Sequence, residues 1–571
     1  MSLENILTVQ NPLGPADQMW IRDPDDRTDI LFRVRPFLRA FALGASVIIG
    51  RKGSGKTSLI CEYQAAAANR RSSHLFEESE LTKKTFVVDG WDQFHSMVRT
   101  VWIIVCKGLP SHNGLPSHDF LFPEHVSEVW HKVIWHHLLQ CFYSFGAEQD
   151  SFPTILDPVR EWATLESVDT DSLDPSWSSV SEAAEQLINN ARDAILRFLR
   201  GRKQKCYLLF DNMDKYPIRN PMFANVISGF LRCINIFNAE CEEIYIVFCM
   251  PEEIERFLQS DNLEKDYSRL YRLRWRPADL LQIVAHRYRL FIKIHQPDFY
   301  QRHIKDMDFT KREHLQELFR IMFPNDVINQ LGHHEHPIAY IVRHTQLLPR
   351  HFILVFNRIL SLSQERFGSF SQIGPGDIRD GVEAIEPTIA NHILAPYNLV
   401  YPQLLSACRD VLPQLPPICD LSHLDQVGRQ FKGRIENEIC GNPWRVLVDM
   451  GILGEVIADD ERQELAGEPR GGEASAYQSR SRARRRRARS PQSQTYPPDS
   501  AQSRYVYGAF HYNSTEVVGF EDGREYCFHP IFSRAFGMKR APEDRQQAVY
   551  PANVGLFEKN ESSFWGGQLN D

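Results

Sequence analysis

Long hydrophobic runs are missing from this chain. None reaches the roughly 18 to 20 residues that a helix needs to cross a bilayer, which argues against a helical membrane protein. The opening residues, MSLENILTVQNPLG, have neither the basic start nor the apolar stretch of a signal peptide, so a cytoplasmic location is expected. Closely paired cysteines are missing too. The eleven cysteines are scattered without a CxxC pair, and Cys206 and Cys249 lie inside apolar runs. That spacing supplies neither a zinc site nor a disulfide framework and reads as buried free thiols. Positive charge is not in surplus: 65 basic against 73 acidic residues leave a net charge of -8, so any affinity for nucleic acid requires a local patch. No internal repeat is visible, and no Ser/His/Asp or Cys/His arrangement points to nucleophilic catalysis.

What the chain does have is length and periodicity. Its 571 residues exceed what one core can organise and suggest roughly three or four domains. Five short apolar segments, at 46–49, 85–88, 206–210, 244–248 and 270–275, are rich in Val, Ile, Phe and Tyr and alternate with helix-length stretches. This pattern predicts a buried parallel sheet of α/β type. Between the second and third segments, residues 94–202 carry helical patterns at 126–145 and 180–199 and read as a helical elaboration on the rim of the sheet. From 279 to 394 the pattern is helical. Leu280, Ile283, Val284, Arg287, Tyr288 and Phe291 share one face, and Phe352, Val355, Phe356, Ile359 and Leu360 share another, so a helical lid is expected. In residues 395–545, three short helices (400–412, 424–435, 443–450) precede two strands (453–458, 505–512), an order that suits a winged-helix-like module. The Gly-, Ser-, Pro- and Arg-rich stretch at 459–504 has too little apolar material to fold and is expected to be disordered. Residues 546–571 read as a tail, and residues 1–278 as the α/β core with its insertion.

The strongest chemical signal is VIIGRKGSGKTSL. Gly50, Arg51, Lys52, Gly53, Ser54, Gly55, Lys56 and Thr57 satisfy G-x(4)-G-K-[ST], followed by Ser58, and the run sits between an apolar strand and a predicted helix. The glycines let the backbone wrap a phosphate chain, the loop N–H groups form an anion nest, and the helix presents its positive N-terminus. Lys56 can reach the β- and γ-phosphates of ATP, and the Thr57 hydroxyl can bind Mg²⁺. A second acid is needed at the end of another strand. In Cys206-Tyr-Leu-Leu-Phe-Asp211, four apolar residues place Asp211 at the carboxyl edge of a buried strand, where it can hold Mg²⁺ through water. For turnover, Asn212 stands directly after this aspartate; it can orient a water but cannot take its proton. Asp214 is the nearest alternative carboxylate, as a base or as a turn residue, and Asp89 is a weaker candidate for the same cleft.

These motifs, in this order, resemble the STAND and AAA+-like branch of P-loop ATPases, within the ASCE class. More narrowly, GRKGSGKT followed by an LLFDN-D strand resembles a bacterial group of ATP-binding proteins found in defence loci. The similarity covers about residues 15–358, with a weaker extension into the winged-helix-like region. The resemblance implies an ATP-driven switch that self-associates, possible roles in antiphage defence, and origin-initiator-like relatives linked to DNA. It places a first sensor at the end of the 244–248 strand, where this chain departs from the family with Cys249-Met250-Pro251-Glu252. It makes Thr345-Gln-Leu-Leu-Pro-Arg350 a second sensor, in which Arg350 reaches the nucleotide; a solvated helix arginine is the alternative. It also makes Arg269, Arg272, Arg274 and Arg287 candidates for a finger toward a neighbouring subunit. The ABC signature and the guanine-specific NKxD motif are absent.

Two further clusters stand out. Arg480, Arg482, Arg484, Arg485, Arg486, Arg487 and Arg489 form a run that can bind DNA or RNA phosphates in a salt-sensitive way, with a solvated spacer or a protein-docking segment as alternatives. His333-His334-Glu335-His336 invites a metal reading, but adjacent histidines in a Gly- and Pro-flanked loop seldom converge on one ion, and a polar loop is the simpler expectation.

Overall fold

The structure is a computed structural model that describes residues 3–17, 21, 29–32, 34–67, 85–89, 94–107, 111–112, 115–116, 123–149, 151–166, 182–211, 221–255, 258, 269–399, 401–435, 442–457, 505–512, 518–539 and 546–551. By internal packing the chain divides into two units. The first takes residues 1–324 and 345–405, the second residues 325–344 and 406–568.

The first unit is built on a five-stranded sheet. Its strands are β1 (Val47–Gly50), β2 (Thr85–Asp89), β3 (Lys205–Phe210), β4 (Ile244–Pro251) and β5 (Leu270–Arg272), in the order β2-β3-β4-β1-β5. Every pairing is parallel. All five expected segments are therefore strands of one α/β sheet. Parallel pairing requires a crossover between strands, and the helix-length intervals supply it. Side chains alternate along the strands, so Val47 and Ile49, Cys206, Leu208 and Phe210, and Ile246 and Phe248 share one core.

That core is closed by helices α2 (Phe94–Lys107), α3 (Pro123–Ala147), α4 (Glu182–Arg202) and α5 (Pro221–Glu240). Trp130, Phe142, Phe198 and Phe230 from these helices are buried with the strand residues. Phe94 lies 5.2 Å from Phe210 and Phe230 lies 5.0 Å from Phe248, ring to ring. The buried Trp130 indole donates to the Val226 carbonyl at 2.9 Å, so its polar edge is satisfied. Residues 94–202 are thus not a rim ornament. They form much of one face of the core, at about 1.5–3 kcal/mol for each large side chain removed from water.

The helical region packs with this sheet unit. Helices α6 (Pro277–His295), α7 (Pro349–Phe367) and α8 (Pro375–Leu394) each begin with Pro at the first helical position, where a missing N–H costs nothing. Both predicted apolar faces are buried. Residues 3–17 lie along these helices. Asn357 accepts from the Leu13 N–H (2.7 Å) and donates to the Gly14 carbonyl (2.9 Å), while Arg287 donates to the carbonyls of Leu13 and Pro15. Segment 325–344, expected within the lid, instead packs in the second unit.

In the second unit, Ile418–Asp420, Leu453–Val456, Tyr505–Ala509, Glu525–Phe528 and Ala548–Pro551 make a five-stranded sheet. The two expected strands do pair antiparallel, with Glu455 opposite Ala509. The expectation of only a two-stranded ribbon fails, because 525–528 pairs with both 418–420 and 453–456, and 548–551 pairs parallel with 505–509. Strands of three or four residues are too short to show alternation. Residues 548–551 are likewise a buried strand and not tail. The described cysteines are free thiols, all buried except the half-buried Cys141. Among the described residues no helix is long and apolar enough to cross a membrane. Arg480–Arg489, with all of 459–504, and residues 552–571 lie outside the described residues.

Candidate functional site

The site forms where β1 ends and helix Lys56–Ala67 begins, at the carboxyl edge of the parallel sheet. The loop between them turns on Gly53 (φ 87°) and Gly55 (φ 91°), a left-handed conformation that side-chain-bearing residues resist. A Cβ on Gly53 would lie 3.1 Å from Arg350 Cβ, and one on Gly55 would lie 3.3 Å from the Phe37 ring. Both glycines therefore answer to geometry and to crowding. Trp275 donates its indole N–H to the Ser54 carbonyl at 2.8 Å and stacks edge-on against Phe37, so two buried aromatics hold the back of the loop.

Lys56 is 9% exposed and folds back over the loop, donating to the carbonyls of Gly50 (2.7 Å) and Arg51 (3.1 Å). These neutral acceptors hold the ammonium in place without neutralising it. The Thr57 hydroxyl donates to Asp211 Oδ2 at 2.7 Å. These residues are 154 positions apart, and the contact joins the two predicted metal ligands across the sheet. Strand register puts Phe210 level with Phe248 on β4 and so with Val47 on β1; the strands run parallel, and Asp211 follows directly, level with Cys249 and Ile48. Cys249, between them on β4, is fully buried, and burial together with the Asp211 charge raises its thiol pKa well above the ordinary value. It is a packing residue. Ser58 is half-buried in the first turn of the helix.

Arg350 reaches the same loop. Its N–H points to the Gly53 carbonyl at 3.5 Å, its side chain packs on Gly53, and its guanidinium donates to Asp17 at 2.9 Å. Leu347, just upstream, has φ 51°, a strained value for a branched residue, of order 1–3 kcal/mol. This kink sits immediately before the helix that carries Arg350. His392 lies nearby on α8, and burial, then the charges of Arg350 and Lys52, lower its pKa. Lys52, Arg350 and Lys56 gather three basic side chains at the loop, with the carboxylates of Asp17, Asp211 and Glu253 beside them.

Sequence reasoning missed three participants: Trp275, Asp17 and Glu253. Glu253 is 6% exposed and accepts from the Lys52 N–H at 2.8 Å. Its only signal was a carboxylate just past the β4 strand. The finger candidates fare differently. Arg287 is 3% exposed and bound to backbone carbonyls, so it anchors residues 13–15 and cannot reach another subunit. Arg272 and Arg274 form two-pronged pairs with Glu255 and Glu252, and Arg269 lies over the Tyr245 ring. Asn212 and Asp214 lie outside the described residues; Asp89 is the last residue of β2.

Among the described residues no His, Cys, Asp or Glu cluster could hold a metal on its own. In the 333–336 run, Glu335 takes Arg343, Asn329 and Tyr550, and His336 caps the helix Pro337–Arg343 by accepting from the Ile338 N–H at 3.3 Å. The run is not a plain polar loop: His334–Glu335 form a short strand antiparallel to Val327–Ile328, and Glu335 is buried in its ion pair. Burial lowers the His336 pKa to about 4. In comparisons with known proteins, no family model matches the chain and no curated protein matches its sequence.

Proposed function

We propose that this protein binds Mg·ATP at the Gly50–Thr57 loop and hydrolyses it, acting as a nucleotide-dependent switch of the P-loop ATPase kind. The observation that carries this reading is the Thr57–Asp211 hydrogen bond at 2.7 Å. A hydroxyl at the start of the loop helix and a carboxylate directly after another strand meet here. Together they offer the hard oxygen donors that Mg²⁺ prefers, with water completing the shell. Bound Mg²⁺ would neutralise charge on the β- and γ-phosphates.

The chain's own residues do the rest. The Gly53 and Gly55 conformations let the loop backbone approach a phosphate closely. Lys56, held only by carbonyls, is free to exchange them for phosphate oxygens, a stronger, charge-assisted contact. Arg350 stands beside Gly53, in keeping with a sensor role. The strand order also supports the ASCE, AAA+-like assignment: β4 lies between the loop strand and the aspartate strand, the additional strand for which that class is named. In the second unit, the helices Leu404–Val411, Leu421–Arg434 and Arg445–Asp449 with strands ordered 418–420, 525–528, 453–456 support a winged-helix-like module with an added strand pair.

The test is metal dependence. Calorimetric titration of ATP with and without Mg²⁺ should show tighter binding with the ion in the parent. Asp211→Asn leaves Thr57 an acceptor but removes the charge, and it should abolish that difference while keeping metal-free binding. ATP binding that ignores Mg²⁺ in the parent would refute the assignment of Thr57 and Asp211.

A further inference from the structure

The residue after Asp211 is Asn212, which cannot accept a proton, so a hydrolytic site here needs its base from elsewhere. The turn Glu252–Glu255 after β4 offers three carboxylates, and the structure treats them differently. Glu252 is clasped by Arg274 at 2.5 and 2.8 Å, and Glu255 by Arg272 at 2.6 Å twice. Glu253 has no arginine. It is 6% exposed, and Oε1 accepts from the Lys52 N–H at 2.8 Å. Its other oxygen, Oε2, is buried and has no hydrogen-bond partner among the described residues. A buried carboxylate oxygen left unmet is costly, and such groups in a folded protein call for an explanation.

Position supplies one. Gly50 pairs with Pro251, so residue 253 lies just past the carboxyl edge of the sheet, against the third residue of the phosphate loop. Asp211 borders the other end of that loop through Thr57. The loop is thus flanked by two carboxylates with separate tasks available to them. One is committed to a hydroxyl and suits a metal. The other is anchored by one oxygen and presents a second with nothing bound.

We propose that Glu253 is the general base for ATP hydrolysis in this protein. This rests on the loop binding Mg·ATP as argued above. The proton balance is simple. A water oxygen attacks the γ-phosphorus as the bond from that phosphorus to the β-γ bridging oxygen breaks, and the bridging electron pair leaves with ADP. The water proton passes to Glu253 Oε2 and then to the departing phosphate or to solvent. Oε1 stays on the Lys52 N–H and fixes the carboxylate against the loop.

The experiment uses the full-length protein and three readouts: Mg·ATP affinity by calorimetry, phosphate release under single turnover, and hydrogen exchange of the peptide carrying Lys52 without nucleotide. Glu253→Gln keeps an acceptor for Lys52 but cannot take a proton. It should bind Mg·ATP as tightly as the parent or more so, keep parental exchange, and release phosphate about 10²- to 10⁴-fold more slowly. Glu253→Ala should lose turnover equally and speed exchange at Lys52. Near-parental phosphate release by Glu253→Gln overturns the proposal, as does loss of nucleotide binding in that variant, which would make Glu253 a structural clamp. A parent that binds Mg·ATP without hydrolysing it overturns the proposal together with the hydrolytic half of the proposed function, and leaves the binding half standing. A parent that fails to bind Mg·ATP overturns the proposed function beneath it.

Discussion

Two regions of this molecule bury charge, and they do so in opposite ways. In the second unit, Glu335 is wholly buried and saturated: two contacts from Arg343 at 2.8 and 3.0 Å, with Asn329 and Tyr550 on the remaining lone pairs. In the first unit, Lys56 rests on two backbone carbonyls and Glu253 has an oxygen with no partner among the described residues. A saturated pair has nothing left to give a ligand, whereas an incompletely met charge keeps capacity that an incoming group can use. The chemistry of the side chains would not separate these cases, since both regions mix acids, bases and small polar groups. Completeness of the contacts does.

That contrast can be broken most forcefully at Glu335. Replacing it with Ala leaves the buried Arg343 without its countercharge, and breaking such a pair typically costs about 3–5 kcal/mol. Chemical denaturation should register this loss in the unit that carries it, while Mg·ATP affinity measured below the transition should not move. A smaller change in stability would mean that Arg343, Asn329 and Tyr550 find other partners once the carboxylate they share is gone.

The next effect should be the mirror image. Lys56→Ala removes a charge-assisted phosphate contact worth about 1.5–3 kcal/mol, so ATP affinity should fall roughly 10- to 150-fold. Unfolding should change little, because Lys56 gives up only hydrogen bonds to loop carbonyls. Calorimetry beside thermal melting reads both quantities. Unchanged affinity would sink the phosphate-loop assignment.

The mildest effect should be common to both units. Burial lowers the pKa of His137 in the first unit and of His336 in the second to about 4, against 6.5 when exposed. Between those values the unfolded chain binds more protons than the folded one, so stability is full above about pH 6.5 and declines as pH falls toward 4. His336 also needs a neutral ring nitrogen to accept from the Ile338 N–H. Melting curves from pH 7 to 4.5 should shift downward, and His336→Asn, which retains a capping acceptor, should flatten part of that shift.

Legibility differed as sharply as charge burial. The phosphate loop could be read at every position because its chemistry is local: eight consecutive residues hold the glycines, the lysine and the hydroxyl. Asp211 was legible from four apolar residues before it. Trp275, Asp17 and Glu253 were not, because Trp275 and Glu253 meet the loop from 221 and 201 positions away and Asp17 meets Arg350 from 333, and nothing in their own neighbourhoods marks any of them. Arg287 shows the opposite error. Its place on an apolar helical face was visible, yet its use as a backbone anchor for residues 13–15 depends on contacts 272 and 274 positions away in the chain.

The sequence by itself determined the parallel α/β sheet, the glycine-bearing loop at 50–57 and the aspartate that follows the 205–210 strand, since alternation, crossover length and residue spacing are properties of short stretches. Tertiary structure alone decided that residues 94–202 build the core and that 325–344 leaves the lid for the second unit. It alone decided that the second unit's ribbon widens to five strands and that one glutamate of three is left facing the loop. Those outcomes depend on which buried groups find partners across hundreds of residues, and hydrogen bonding and burial are settled only when the chain has closed on itself.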